Sequence, residues 1–372
     1  KNYHWYLKQE VRSSVIGDTI SHVVWDTEDP MLLHVAGQTS YTAMRLQSTP
    51  AVAQVTSEQS NMAACVIDGA NLLYTPFAYA NVPPPIALNT LTTPSPTAHV
   101  VFGGFGDGND FAALQSDGRT VVTYTCEYAS AIKDAVPPAQ ADSVSLVDDS
   151  LAVFRQIAWP AKNTLVALGS QKIDTGATHD MVAVVQFEQG QVVDRSLLDL
   201  EDLGLSTAIK LVASPNVDKL LLETADGSVF DIEYSSVPIL SPIASLPEAC
   251  IDLDAVSAGG EVMVVGRTER NQLFVGRHLA SAACSSFFLR RDFLLLTTTT
   301  HFLRFVPVDA DFGSAAVAED APTVSRYDET RRRVERGSTI VVAATVGDGV
   351  VFQMPRGNLE TVRPRALVLA SV

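Results

Sequence analysis

Apolar residues along this chain cluster in short runs rich in Val, Leu, Ile and Phe, each closed by turn residues. "ISHVVWD", "MLLHVAG" and "YTAMRLQ" open the series, and "HVVFGGF", "DFAALQS" and "TVVTYTC" continue it. The same texture returns in "TLVALGS", "MVAVVQFE", "KLLLETA", "SVFDIEY", "EVMVVGR", "DFLLLTT" and "STIVVAAT". Runs of this length and composition predict strands. Many gaps between them carry hairpin chemistry: "IDGAN", "SDGRT", "EQGQV", "ADGSV", "AGGEV" and "GDGVV". Gly and Asp accept the positive φ that a two-residue hairpin demands. Before the C-terminus no stretch sustains a helical apolar period over three turns, with "RSLLDLEDLGLS" coming closest.

The unit of two or three strands with a tight Gly turn recurs about every 45–55 residues, the range of propeller blades. The expectation is therefore an all-β, WD40-like β-propeller of about seven four-stranded blades. A sandwich would need fewer strands, and a β-helix a shorter and stricter repeat. Trp25-Asp26 is the one Trp-Asp pair, so the assignment rests on period and hairpins. Two stretches break the rhythm. "AYANVPPPIALNTLTTPSP" reads as an outer, Pro-rich crossing. "DADFGSAAVAEDAPTVSRYDETRRRVERG" reads as a long polar insertion between blades.

Composition sharpens this picture. The 372 residues are 47% hydrophobic, enough for a substantial core, and carry a net charge of −16. An acidic body repels phosphate backbones, so nucleic acid would need a local basic patch. Cys65, Cys126, Cys250 and Cys284 stand singly in apolar runs, with no CxxC and no metal-type Cys/His spacing. They read as buried reduced thiols of a cytoplasmic or nuclear protein. No N-x-S/T sequon, signal peptide or membrane-length apolar run is present. The chain begins without Met, so both ends are expected to be cuts in a longer protein.

The sequence carries none of the common catalytic signatures. "GGFGDGNDF" lacks the GxxxxGK[ST] pattern, and twelve residues from Asp107 falls on Gly118 where a calcium loop needs Glu. The seven His residues form neither HxxxH nor HExxH, and there is no GxSxG elbow. The acids of "LVDDS" and "LDLEDLG" read as solvated turn residues. The expectation is a protein with no enzymatic activity, no cofactor and no metal.

Arg326, Arg331, Arg332, Arg333 and Arg336 crowd into "RYDETRRRVERG". Either this is a solvated, partly self-paired loop, or it is a basic docking patch on an acidic body. At the end, Pro364 suits the first position of a helix and Arg363 its cap. A helix is thus predicted to start at 363–364, with an apolar surface almost all round.

"NYHWYLKQE" at the start, "RRRVERGSTIV" late and "QMPRGNLETVRPRALVLA" at the end resemble the largest subunit of the Elongator complex, the IKAP family. "DFLLLTTTTHFLRF" and "GNDFAALQSDGRTVVTY" resemble the same family between them. The resemblance implies the second of two tandem propellers, residues 1–354, with residues 1–12 belonging either to it or to the propeller before. Residues 355–372 would open a helical-repeat region, with dimerisation further along. It implies a non-catalytic scaffold in a complex that modifies tRNA wobble uridines, where a separate radical-SAM and acetyltransferase subunit does the chemistry. The implied partners are that catalytic subunit, the second WD-repeat subunit, and the flanking regions of the same chain. No membrane is expected, and tRNA is met weakly or indirectly; the alternative is direct tRNA contact through the 326–336 arginines. The family signature Pro355, Arg356, Gly357, Asn358, Leu359 and Glu360 reads as a structural junction, Gly357 allowing a sharp exit and Asn358 a turn.

Overall fold

The computed structural model describes residues 18–29, 32–45, 51–52, 63–76, 87–103, 105, 109–127, 136–148, 151–173, 176–205, 207–235, 237–308, 312, 332–333, 339–343, 350–353 and 359–362. Every regular element among them is a strand. The repeat predicts about seven four-stranded blades; the described residues hold eight antiparallel sheets, six of four strands and two of three.

The first sheet holds β1 (Ile20–Trp25), β2 (Leu32–Gly37) and β3 (Tyr41–Arg45). The second holds β4 (Ala51–Val52), β5 (Ala63–Asp68), β6 (Asn71–Pro76) and β7 (Asn89–Thr92). Then come β8 (Thr97–Phe102), β9 (Phe111–Gln115), β10 (Thr120–Thr125) and β11 (Ala139–Ser145). The fourth sheet is β12 (Val153–Ala161), β13 (Thr164–Lys172), β14 (Thr178–Glu188) and β15 (Gln191–Asp199). The fifth is β16 (Ala208–Ser214), β17 (Lys219–Thr224), β18 (Ser228–Glu233) and β19 (Ile239–Ser245). The sixth is β20 (Cys250–Ala258), β21 (Glu261–Thr268), β22 (Leu273–Val275) and β23 (His278–Ser281). The seventh is β24 (Cys284–Leu289), β25 (Phe293–Thr298), β26 (Phe302–Pro307) and β27 (Arg332–Arg333). The last is β28 (Thr339–Ala343), β29 (Val350–Gln353) and β30 (Leu359–Val362). Within each sheet the strands are ordered as they occur in the chain.

The core explains the sequence texture. Five apolar clusters each straddle one pair of consecutive sheets, from β4–β7 against β8–β11 through to β20–β23 against β24–β27. A middle strand is covered on both faces, so it reads as an unbroken apolar run. Leu165, Val166, Ala167 and Leu168 of β13 are all fully buried, as are Phe293, Leu294, Leu295 and Leu296 of β25. Each such Leu, Val or Phe contributes roughly 1.5–3 kcal/mol of burial free energy. Outer strands such as β15 and β19 are largely half-buried or exposed, which weakens their signal.

One local expectation changes. Arg332 and Arg333, read as part of an insertion between blades, form β27 and pair with β26 within the seventh sheet. Two residues of pairing are too short to leave an alternating pattern in the sequence. In "RSLLDLEDLGLS", where the sequence comes closest to a helical period without sustaining it, Arg195–Asp199 completes β15 against β14 and a turn follows. Strand β30 pairs with β29. Residues 1–12 and 363–372, including the predicted helix, lie outside the described residues.

Candidate functional site

The first strand of a sheet carries the same irregularity in six consecutive sheets. Its pairing with the second strand slips at Thr97/His99, Phe154/Gln156, Ala208/Lys210, Cys250/Asp252, Cys284/Ser286 and Ile340/Val342. A bulge of this kind re-aims the side chain beside it. In four of the sheets the residue after the slip reaches the backbone of the next sheet's first strand. The Ile157 N–H donates to His99 Nδ1 at 3.2 Å. Gln156 bridges twice: its Oε1 accepts the Leu211 N–H at 2.8 Å and its Nε2 donates to the Ile209 carbonyl at 3.0 Å. Lys210 Nζ donates to the Ile251 carbonyl. The Ile340 N–H donates to Ser286 Oγ at 3.0 Å. Asp252 departs from the pattern and binds Arg267 of its own sheet, with Arg267 Nε at 2.8 Å.

The clasps of His99, Gln156 and Lys210 line a cavity of about 480 Å³ between β8, β12, β16 and β20, with Arg155, Lys219 and Tyr234 also on its wall. Its charges are engaged. Arg155 pairs with Asp180 at 3.1 Å and donates to the Ala208 carbonyl at 2.6 Å. Lys219 pairs with Asp231. Burial, and then the charge of Lys210, pushes His99 down to about 4. His99 is therefore neutral near neutrality, as an acceptor at Nδ1 must be. Burial lowers Lys210, while Asp252 and Glu223 pull it back up. Glu223 of β17 accepts the Cys250 N–H at 2.7 Å, and burial raises it to about 7. Buried polar groups tied to a neighbouring backbone rigidify the joint between sheets, because losing one partner leaves the other unsatisfied.

Of the sequence-predicted residues, the four that are described do not line this cavity. Arg332 and Arg333 form β27, the edge strand of the seventh sheet, with backbone partners Leu303 and Phe302. Leu359 and Glu360 lie in β30, opposite Gln353 and Phe352. Arg326, Arg331, Arg336, Pro355, Arg356, Gly357 and Asn358 lie outside the described residues. The four cysteines are free thiols; Cys65, Cys250 and Cys284 are buried and Cys126 half-buried. Asp199 and Glu201, read as solvated acids, both bind the ring of His179, at 2.8 and 2.9 Å. Among the described residues no cluster of three or more His, Cys, Asp or Glu could hold a metal.

The clasp residues escaped the sequence reading, although a signal is there. Aligned by their slips, "HVV", "QIA", "KLV" and "SFF" each set one polar residue before an apolar pair, and "DLD" sets Asp252 before Leu253. The polar residue differs every time, so no motif emerges until the register is known.

Meander sheets packed face to face, with their first strands joined by polar clasps around a cavity, define a β-propeller. The family described as ELP1 N-terminal second beta-propeller matches residues 66–341. This chain belongs to that family. It is 28% identical to a putative elongator complex protein 1 of Xenopus laevis, over all of this chain and 34% of that protein. It is likewise 28% identical to elongator complex protein 1 of Schizosaccharomyces pombe and of Saccharomyces cerevisiae, covering 28% and 27% of those proteins. The chain thus spans only a minor part of their length. Among solved structures, the Cps50 (Swd1) β-propeller domain of Myceliophteria thermophila aligns with a TM-score of 0.49 and 11% identity, covering 86% of this chain and 98% of that one.

Proposed function

We propose that this chain is a non-catalytic scaffold propeller of the Elongator complex, which modifies wobble uridines of tRNA in the cytoplasm or nucleus. It holds partner subunits, among them the catalytic radical-SAM/acetyltransferase subunit and the second WD-repeat subunit. Family membership supports a place in the complex. One observation supports the scaffold role: His99, Gln156, Lys210 and Ser286, which line the joints, bind the backbone of the next sheet. Side chains committed in this way stiffen a platform. The test is retention of each Elongator subunit on the immobilised chain. Capture of at least one subunit at physiological salt is expected, and capture of none overturns the scaffold role.

The second reading is direct tRNA contact. It draws on Arg332 and Arg333 forming an edge strand, since an edge is open to a partner on one side. Phosphate contacts there would make binding steeply salt-dependent.

A further inference from the structure

Strands β1–β3 form the first sheet of the described residues. Their sheet has three strands, and the five core clusters described above take no residue from it. All six residues of β1 are exposed. The register puts Val23, Trp25, Leu33, Val35, Thr42 and Met44 on one face, an almost wholly apolar set. Of these, Val23 is 55% and Trp25 51% exposed, while Val35 opposite Val23 is buried. Val24 and Tyr41, on the opposite face, are 60% and 65% exposed. That second face is ordered internally: His34 Nε2 meets Asp26 Oδ2 at 2.8 Å, and the Tyr41 hydroxyl meets His34 Nδ1 at 2.5 Å. A built sheet with large apolar side chains bare on both faces is an interaction surface. Three strands with an open apolar face are also marginal without a packing partner.

The occupant follows from where the family match lies. It begins at residue 66, beyond β3, and its description makes this the second propeller. The relatives are about three times as long as this chain, which covers 34% of the frog protein. We propose that β1–β3 pack as a blade against the propeller that precedes this one in the full-length subunit, and that the second propeller begins at β4. The apolar face of Val23, Trp25 and Leu33 is then buried against sequence N-terminal to Lys1, joining the two propellers rigidly.

The experiment places the photo-crosslinking residue benzoylphenylalanine at Val23 of the full-length subunit and maps the crosslinked peptides. Peptides preceding Lys1 are expected. Crosslinks confined to another copy, or to sequence after Val372, overturn the proposal. A second measurement guards against a misfolded variant. Val23→Cys and, as a control on an exposed outer strand, Val193→Cys are labelled with maleimide in this chain and in the full-length subunit. The two should react alike in this chain, and Val23→Cys at least tenfold more slowly than the control in the full-length subunit. Equal rates in the full-length protein overturn the proposal. Slow reaction in this chain alone does so too, because the face would then be covered without the preceding propeller.

Discussion

Glu223 sits buried on β17 with one carboxylate oxygen on the Cys250 N–H and the other without a hydrogen bond among the described residues. Cys250 begins the next sheet, so this acid holds another joint between sheets. Its pKa is raised to about 7 by burial, above the ordinary 4.5. The folded state therefore binds more protons than the unfolded chain between about 4.5 and 7, and Glu223 costs stability as pH rises through that window. His99 works the other way: held down at about 4 against 6.5, it adds stability as pH rises between those values. Lys210, Asp252 and Arg267 lie in the same neighbourhood, so the variant must be compared with its parent. Glu223→Gln keeps an acceptor for Cys250 and cannot ionise. It should melt higher than the parent at pH 8, with the gap shrinking towards pH 5. A gap independent of pH would contradict the assignment. Glycine makes a second residue-scale point. Gly118 has φ of +66°, and a Cβ there would lie 2.8 Å from the Phe154 carbonyl oxygen. Gly204 has a similar φ of +68° with open space around it. Gly118→Ala should cost at least 1–2 kcal/mol more than Gly204→Ala, roughly the added price of the clash. Urea denaturation of the two variants measures the difference.

At the scale of the element, the clasps can be tested without touching the apolar core. Gln156→Leu preserves bulk but leaves the Leu211 N–H and the Ile209 carbonyl without their partner. Two groups stripped in a half-buried joint should cost roughly 2–4 kcal/mol. Hydrogen exchange should quicken at Leu211 while the β13–β14 ladder keeps its protection. Unchanged exchange at Leu211 would show that the clasp does not hold the joint. The elements also show what was legible. Middle strands such as "DFLLLTT" and "KLLLETA" were readable because both faces are covered, and the DG turns because positive φ restricts their chemistry. Strand β27 was not, since two residues carry no period, and the end of β15 was not, since "RSLLDLED" spaces its leucines as a helix would. Ladder bonds to β14 override that spacing. The clasps were hidden for another reason. His99, Gln156, Lys210 and Ser286 share a position in the sheet but not a residue type, so only the register of the bulges aligns them.

For the whole molecule, family membership and architecture agree: a propeller made of sheets that bury their middle strands between neighbours and lock their first strands with polar bonds. Burial of the middle strands between neighbouring sheets leaves edges, loops and the open faces of β1–β3 as surfaces for partners, which suits the proposed scaffold role. Its net charge of −16 disfavours nucleic acid over the body as a whole, leaving the arginines at 326–336 as the local exception. The most direct test of the scaffold reading titrates this chain, in one buffer at physiological salt, against the purified catalytic subunit of Elongator and against tRNA. The account predicts saturable binding of the subunit, and weak tRNA binding that fades steeply as salt rises. Submicromolar tRNA binding that is lost in Arg331→Glu, Arg332→Glu, Arg333→Glu, with no binding of the subunit, would contradict it.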